Sequence, residues 1–155
     1  MAIIKRANQE DGAAWLELRC ALWPEGARDQ HRAEIQQFFA GELPEPLAVL
    51  LAFDSHEQAV GLAELSIRAY AEGCRSAPVG YLEGWYVAPA VRRQGIGRAL
   101  LAAAEDWARA QGCQEFASDT QPDNTVSAAA HRALGFEEVG GLRCFRKDLR
   151  SGAAA

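Results

Sequence analysis

The stretch Arg92-Arg93-Gln94-Gly95-Ile96-Gly97-Arg98 lies between a strand-like run, LEGWYVAP, and a helix-like run, RALLAAAEDWARAQG. Its two glycines let the backbone curl so that several N–H groups face one concavity, and the following helix adds the positive end of its dipole. Phosphate or pyrophosphate is the anion that suits such a turn, and Arg92, Arg93 and Arg98 add cationic charge. No Lys-Ser/Thr pair follows the second glycine, so this is not a P-loop, and the GxGxxG spacing of dinucleotide folds is missing. A Gly-x-Gly turn can also merely connect a strand to a helix, a reading that the arginines weaken.

Other chemistries find less support. The histidines (His31, His56, His131) and cysteines (Cys20, Cys74, Cys113, Cys144) are scattered, without HExxH or CxxC spacing. A metal site is therefore not expected, and the cysteines read as reduced thiols of a cytoplasmic protein. No Ser-His-Asp or Cys-His arrangement is legible. The formal net charge of −5 argues against nucleic acid and mildly favours a cationic partner, although such a charge also serves solubility. No apolar run approaches the ~18 residues of a membrane span, so no membrane partner is expected.

The elements that must position this turn can be read along the chain. AIIKRA is a short strand, and NQEDGAAWLELRCALW is a helix with Asn8 as its cap and Trp15 on its packed side. DQHRAEIQQFFAGEL is a second helix. LAVLLAF and AVGLAELSIRAY form a hairpin, and VGYLEGWYVAP is the strand that enters the turn. The long helix after it closes at Gly112; QEFASDT is a strand and NTVSAAAHRAL a helix closed by Gly135. FEEVG and LRCFRKDL suggest a final hairpin around Gly140 and Gly141. The sum is one α/β (α+β) domain over residues 1–150, with a disordered tail at 151–155.

VAPAVRRQGIGRALL resembles the acetyl-CoA signature of the GNAT N-acetyltransferases, Arg/Gln-x-x-Gly-x-Gly/Ala, carried here by Arg92, Gly95 and Gly97. The order of elements and the ALGF after the last helix match that fold along nearly the whole chain. The resemblance implies a central mixed, mostly antiparallel sheet flanked by about four helices, with a splayed strand pair holding acetyl-CoA. It also implies that residues 92–98, including Gln94, Ile96 and Arg98, hold the pyrophosphate of coenzyme A. Tyr86 and Val87 would border the cosubstrate, and Asn124 would face the pantetheine arm unless it only caps its helix. LWPEG, LEGWYV, FASDTQPDNT and AAHRALGF together resemble the aminoglycoside 6'-N-acetyltransferases.

That resemblance implies roles for the carboxylates. An alkyl ammonium has a pKa of about 10.4, so the acceptor must be bound as a cation and then lose a proton. Glu83 and Asp119 would border the acyl group, with Asp119 better placed to orient the reactive amine; a solvated surface acid is the alternative for either. The Val87 N–H would polarise the thioester carbonyl. His131 stands where many relatives carry a tyrosine acid; it would protonate the leaving thiolate or serve only as a spacer. Trp23 and Tyr70 would wall a sugar pocket, a core role being the alternative for Trp23; His31 would reach the acceptor or lie on a solvated helix face, and Glu138 would line the far rim. A homodimer is implied by resemblance. The alternatives are another small polyamine or a protein N-terminus as acceptor, or a non-catalytic acyl-CoA sensor.

Overall fold

The computed structural model describes residues 2–140 and 144–150; the tail read as disordered, 151–155, lies outside the described residues. Among the described residues five strands follow one another across one sheet in chain order: β1 (Ile3–Arg6), β2 (Ala48–Phe53), β3 (Ala59–Arg68), β4 (Val79–Val87) and β5 (Phe116–Ser118). The first four pair antiparallel, and β5 joins β4 in parallel. This is the expected mixed, mostly antiparallel sheet.

The apolar run of β2 needs cover on both faces, because neighbouring side chains of a strand point to opposite sides. Val49 and Leu51 pack with Trp15, Leu16 and Leu18 of α1 (Gly12–Leu22) and Ile35 of α2 (Arg28–Phe39). Ala48, Leu50 and Ala52 pack on the other face with Ile96, Leu100, Leu101 and Ala104 of α3 (Ile96–Ala110). Asn8 caps the 3-10 turn that leads into α1, through a reciprocal pair of hydrogen bonds with Asp11 and Glu10. Helix α4 (Thr125–Ala133) follows β5, and Gly135 takes the left-handed conformation at its end with φ 93°.

Two irregularities shape the site end of β4. Glu64 pairs with Gly84 while Leu65 pairs with Leu82, so Glu83 is the extra residue of a bulge. The pairing of β4 with β5 stops at Leu82 and Ser118, and β4 runs on to Val87 with that edge unpaired.

Among the described residues the expected terminal hairpin does not form. Residues 136–140 and 144–149 form no strand, and 141–143 lie outside the described residues. Val139, Phe145 and Leu149 stand exposed, so neither segment has the apolar cover or third strand that a two-stranded ribbon needs for stability.

Candidate active site

The turn after β4 has the geometry its composition suggests. Arg93 and Gly95 both take positive φ, 63° and 86°, and Gly95 is the N-cap of α3 without any side-chain cap. The N–H groups of Ile96, Gly97 and Arg98 precede the first i to i−4 bond, donated by Ala99 to Gly95 O at 3.0 Å. They open the N-terminus of a 15-residue helix to an anion. Gly97 lets that end lie close to β4: a Cβ there would stand 3.2 Å from Trp85 Cζ2 and 3.6 Å from Val87 Cγ2. Arg92 turns back, its Nε donating to Val87 O at 2.8 Å and its guanidinium lying 5.7 Å from the Tyr86 ring centre. Arg93, Gln94 and Arg98 remain exposed around the concavity.

Strand geometry decides where the Val87 amide points. Ala88 N donates to Val60 O of β3 at 2.8 Å, and N–H groups of successive strand residues face opposite edges. The Val87 N–H therefore faces the opening between β4 and β5. His131 reaches the same opening from α4, with Trp85 5.3 Å and Phe136 5.0 Å from its ring centre. Its Nδ1 stands 2.7 Å from Ser127 O, so Nδ1 carries the hydrogen, since a carbonyl can only accept. Its Nε2 stands 2.9 Å from Ser118 Oγ, which in turn lies 3.3 Å from Leu82 O. Neutral His131 accepts the serine hydrogen; the imidazolium donates to Oγ while Ser118 turns its hydrogen to Leu82 O. Both protonation states are accommodated without moving a heavy atom. Ser118 carried no signal in the sequence, because its partners come from β4 and α4.

The two carboxylates are already engaged. Asp119 accepts a hydrogen bond from the Tyr81 hydroxyl, whose pKa is pushed well up by burial first and then by that bond and charge. Arg68 Nη2 donates to both oxygens of Glu83, at 2.5 and 2.8 Å, and its guanidinium stacks 3.5 Å from the Tyr81 ring centre. A cavity of about 650 Å³ opens over this group, lined by Arg68, Tyr70, Tyr81, Asp119, His131 and Glu138 among others. Glu83 does not line it. Tyr70 is exposed with its hydroxyl 3.3 Å from Glu72, and Glu138 pairs with Arg132.

Trp23 follows α1 and lays its ring on β4 at Gly84. A Cβ on Gly84 would stand 2.8 Å from Trp23 Cη2, so only glycine admits the ring there. His31 is buried rather than reaching into the cavity. Its ring stacks 6.5 Å from that of Trp23, and Nε2 donates to Trp23 O at 3.1 Å. Beneath them, buried Glu64 accepts from Trp15 Nε1 at 2.9 Å and stands 3.2 Å from Arg19 Nε. Burial pushes the Glu64 carboxyl up, opposed by Arg19 and the Trp15 bond. Arg19 also pairs with Glu34 at 2.7 Å and lies over the Trp23 ring. Asn124 caps α4, accepting from Ser127 N at 3.0 Å. Among the described residues no group of three His, Cys, Asp or Glu side chains is arranged to hold a metal, and no helix is long and apolar enough to cross a membrane.

A sheet that parts beside a glycine turn at a helix N-terminus defines a class, and the chain belongs to it: residues 12–136 match the acetyltransferase (GNAT) family. Within that family its relatives are specific. It is 53% identical over 147 residues to an aminoglycoside N(6')-acetyltransferase type 1 of Klebsiella aerogenes, covering 95% of this chain and 97% of that protein. One from Stenotrophomonas maltophilia is 44% identical, with 97% and 95% covered. The structure of AAC(6')-Iy in complex with a bisubstrate analogue, CoA-S-monomethyl-acetylneamine, superposes with a TM-score of 0.85 at 38% identity, covering 96% of this chain and 99% of the other. The chain thus falls among the aminoglycoside N(6')-acetyltransferases.

Proposed function

We propose that this enzyme transfers the acetyl group of acetyl-CoA to the 6'-amine of an aminoglycoside by direct attack, inactivating the antibiotic. The observation that carries this reading is the meeting of three features at one end of β4: an uncapped helix N-terminus, an unpaired strand edge and a carboxylate-bearing cavity. The turn suits the pyrophosphate, with the free N–H groups of Ile96, Gly97 and Arg98 and the charges of Arg93 and Arg98. Bound acetyl-CoA supplies an acyl carbon already activated as a thioester. Asn124 caps α4 with its Oδ1 and offers its Nδ2 hydrogens to the pantetheine arm.

The residues divide the remaining work. Asp119 and Glu83 bind and orient the ammonium; a carboxylate also raises the pKa of a bound ammonium, so the first proton passes to water rather than being held. The Val87 N–H donates to the acyl oxygen as negative charge grows there, a contribution of about 10²–10³ in rate. The departing sulfur takes its proton from the Ser118 hydroxyl, which turns from Leu82 O to the sulfur as the His131 imidazolium passes its Nε2 proton to Ser118 Oγ. Both protons lost by the ammonium nitrogen pass to solvent, and solvent returns one to His131, so the net release is one proton. Trp23 and Tyr70 flank the sugar, Glu138 lies at the rim, and His31 acts by holding Trp23.

The same reading makes residues 1–150 one catalytic domain that works as a cytoplasmic homodimer. The exposure of Val139, Phe145 and Leu149 supports a second copy covering them. The acidic net charge suits a small polycation rather than a nucleic acid.

The test is thiol release from acetyl-CoA with kanamycin, tobramycin, spermidine or a short peptide offered in turn. Release with the aminoglycosides alone, with the acetyl group located on the 6'-nitrogen by mass spectrometry and NMR, is the expected result. Release only with spermidine or peptide would move the carboxylates to another amine. No release despite acetyl-CoA binding would favour a sensor.

A further inference from the structure

Arg68 has no part in the transfer described above, yet it occupies a place where an acceptor amine would sit. One guanidinium nitrogen straddles both oxygens of Glu83, as a substrate ammonium would, instead of forming the two parallel bonds of which arginine is capable. Its Nε is buried with no hydrogen-bond partner among the described residues. The cavity is lined by Arg68 and not by Glu83, so the guanidinium stands between that carboxylate and the space where an acceptor enters. Arg68 is held by an incomplete set of bonds and its side chain keeps 39% of its exposure, whereas Glu83 keeps 16%. It can swing to solvent; Glu83 cannot follow.

We infer that Arg68 is an internal stand-in for the acceptor's ammonium: it neutralises Glu83 in the free enzyme and is displaced when the aminoglycoside binds, so that it sets acceptor affinity. The inference rests on the aminoglycoside reading and extends it. A part-buried carboxylate left without a cation is costly, which accounts for a positive residue inside a pocket for polycations. The consequence is competition, because part of the acceptor's attraction to Glu83 is spent on removing Arg68.

The experiment measures steady-state kinetics with kanamycin and acetyl-CoA for the unmodified enzyme, Arg68→Met, Arg68→Lys, Glu83→Gln and the Arg68→Met/Glu83→Gln pair. Methionine keeps the length and stacking of the side chain without the charge. The expected result is a KM for kanamycin lowered about threefold to fivefold in Arg68→Met, the scale of a partly exposed ion pair. Arg68→Lys keeps the competing charge and stays within about twofold of the unmodified enzyme. The KM for acetyl-CoA moves in neither. Glu83→Gln costs more in the Arg68→Met background than alone, because the carboxylate is then fully available to the substrate.

A residue that merely aligned Glu83 would give the opposite sign, a raised KM in Arg68→Met, and that result overturns the inference. So does a gain that survives unchanged in the double variant, since the gain would then come from the general field and not from Glu83. If Arg68→Met fails to fold, the Arg68→Lys and Glu83→Gln values decide through salt dependence: displacement requires the acceptor KM of Glu83→Gln to respond to salt less than that of the Arg68→Lys enzyme, and an equal response overturns it. Failure of the unmodified enzyme to acetylate either kanamycin or tobramycin would overturn the aminoglycoside reading and this inference with it. A raised acceptor KM in Arg68→Met, with the unmodified enzyme still acetylating the aminoglycoside, would overturn this inference alone.

Discussion

Asp119 is the residue on which the proposed chemistry turns, and it can be tested without disturbing the fold. It is exposed at the end of β5 and accepts the Tyr81 hydroxyl hydrogen. Asp119→Asn keeps an acceptor for that hydroxyl and removes only the charge. The kcat/KM for kanamycin should fall at least about tenfold, or ~1.4 kcal/mol of transition-state binding, with acetyl-CoA affinity unchanged by calorimetry. An unaltered kcat/KM would remove Asp119 from the site. Asp119, Glu83 and His131 were legible in the sequence through the resemblance of LEGWYV, FASDTQPDNT and AAHRALGF to the family, while periodicity gave only the strands and the helix that carry or flank them. Their engagements were not. Arg68 meets Glu83, Tyr81 meets Asp119 and Ser118 meets His131 only through strand register and the bulge at Glu83, which no local pattern encodes. For His31 the pattern misled: an exposed helix face was one expectation, but the loop after α1 folds back over it and buries the ring.

At the scale of elements, the loop that follows β3 must be held for its side chains to form a cavity wall. It carries Tyr70, Glu72 and Cys74, and it is tied to the start of β5 by Glu115. That carboxylate accepts from Ser76 Oγ at 2.5 Å, Ser76 N at 2.7 Å and Arg75 N at 2.8 Å. These bonds, the Ser76 hydroxyl foremost, hold the Glu115 carboxyl below its ordinary value. The sign follows from linkage: an acid whose pKa is depressed by folding contributes stability that is present above its unfolded pKa, about 4.3, and lost as pH falls through the lower folded one. Glu115→Gln should therefore melt below the unmodified enzyme at pH 7, and the gap should close as pH falls below about 4. Thermal melts across that range test it; a gap that stays constant would mean that the carboxylate's charge plays no part. The elements themselves were readable from sequence up to Ala133, since amphipathic periods and glycine or proline stops agree there. The reading fails after Phe136, where alternating apolar residues suggested a hairpin but the described chain offers no face to cover them.

The whole molecule is two helical layers on a sheet, and Glu64 is where the sheet grips one of them. From the middle of β3 it receives the Trp15 indole hydrogen of α1 and faces Arg19, and Arg19 passes the grip to α2 through Glu34. Trp15 meets Phe38 and Phe39 of α2 edge to face, at 5.0 and 5.7 Å, so both helices depend on the same pair of side chains. Trp23, proposed to flank the sugar, lies at the end of α1 under the Arg19 guanidinium. Removing Glu64 leaves the Trp15 N–H buried without a partner and Arg19 with Glu34 alone. Losing one member of a buried charged pair costs about 3–5 kcal/mol, against a total stability of about 5–15 kcal/mol for a domain. Glu64→Ala should accordingly lower the urea midpoint by a large fraction. Below that midpoint it should raise the KM for kanamycin more than that for acetyl-CoA, because the α1 end moves while the α3 turn on the opposite face does not. A midpoint within error of the unmodified enzyme would show that the sheet holds α1 by apolar packing alone. Equal rises in both KM values would show that the two faces of the sheet do not answer separately.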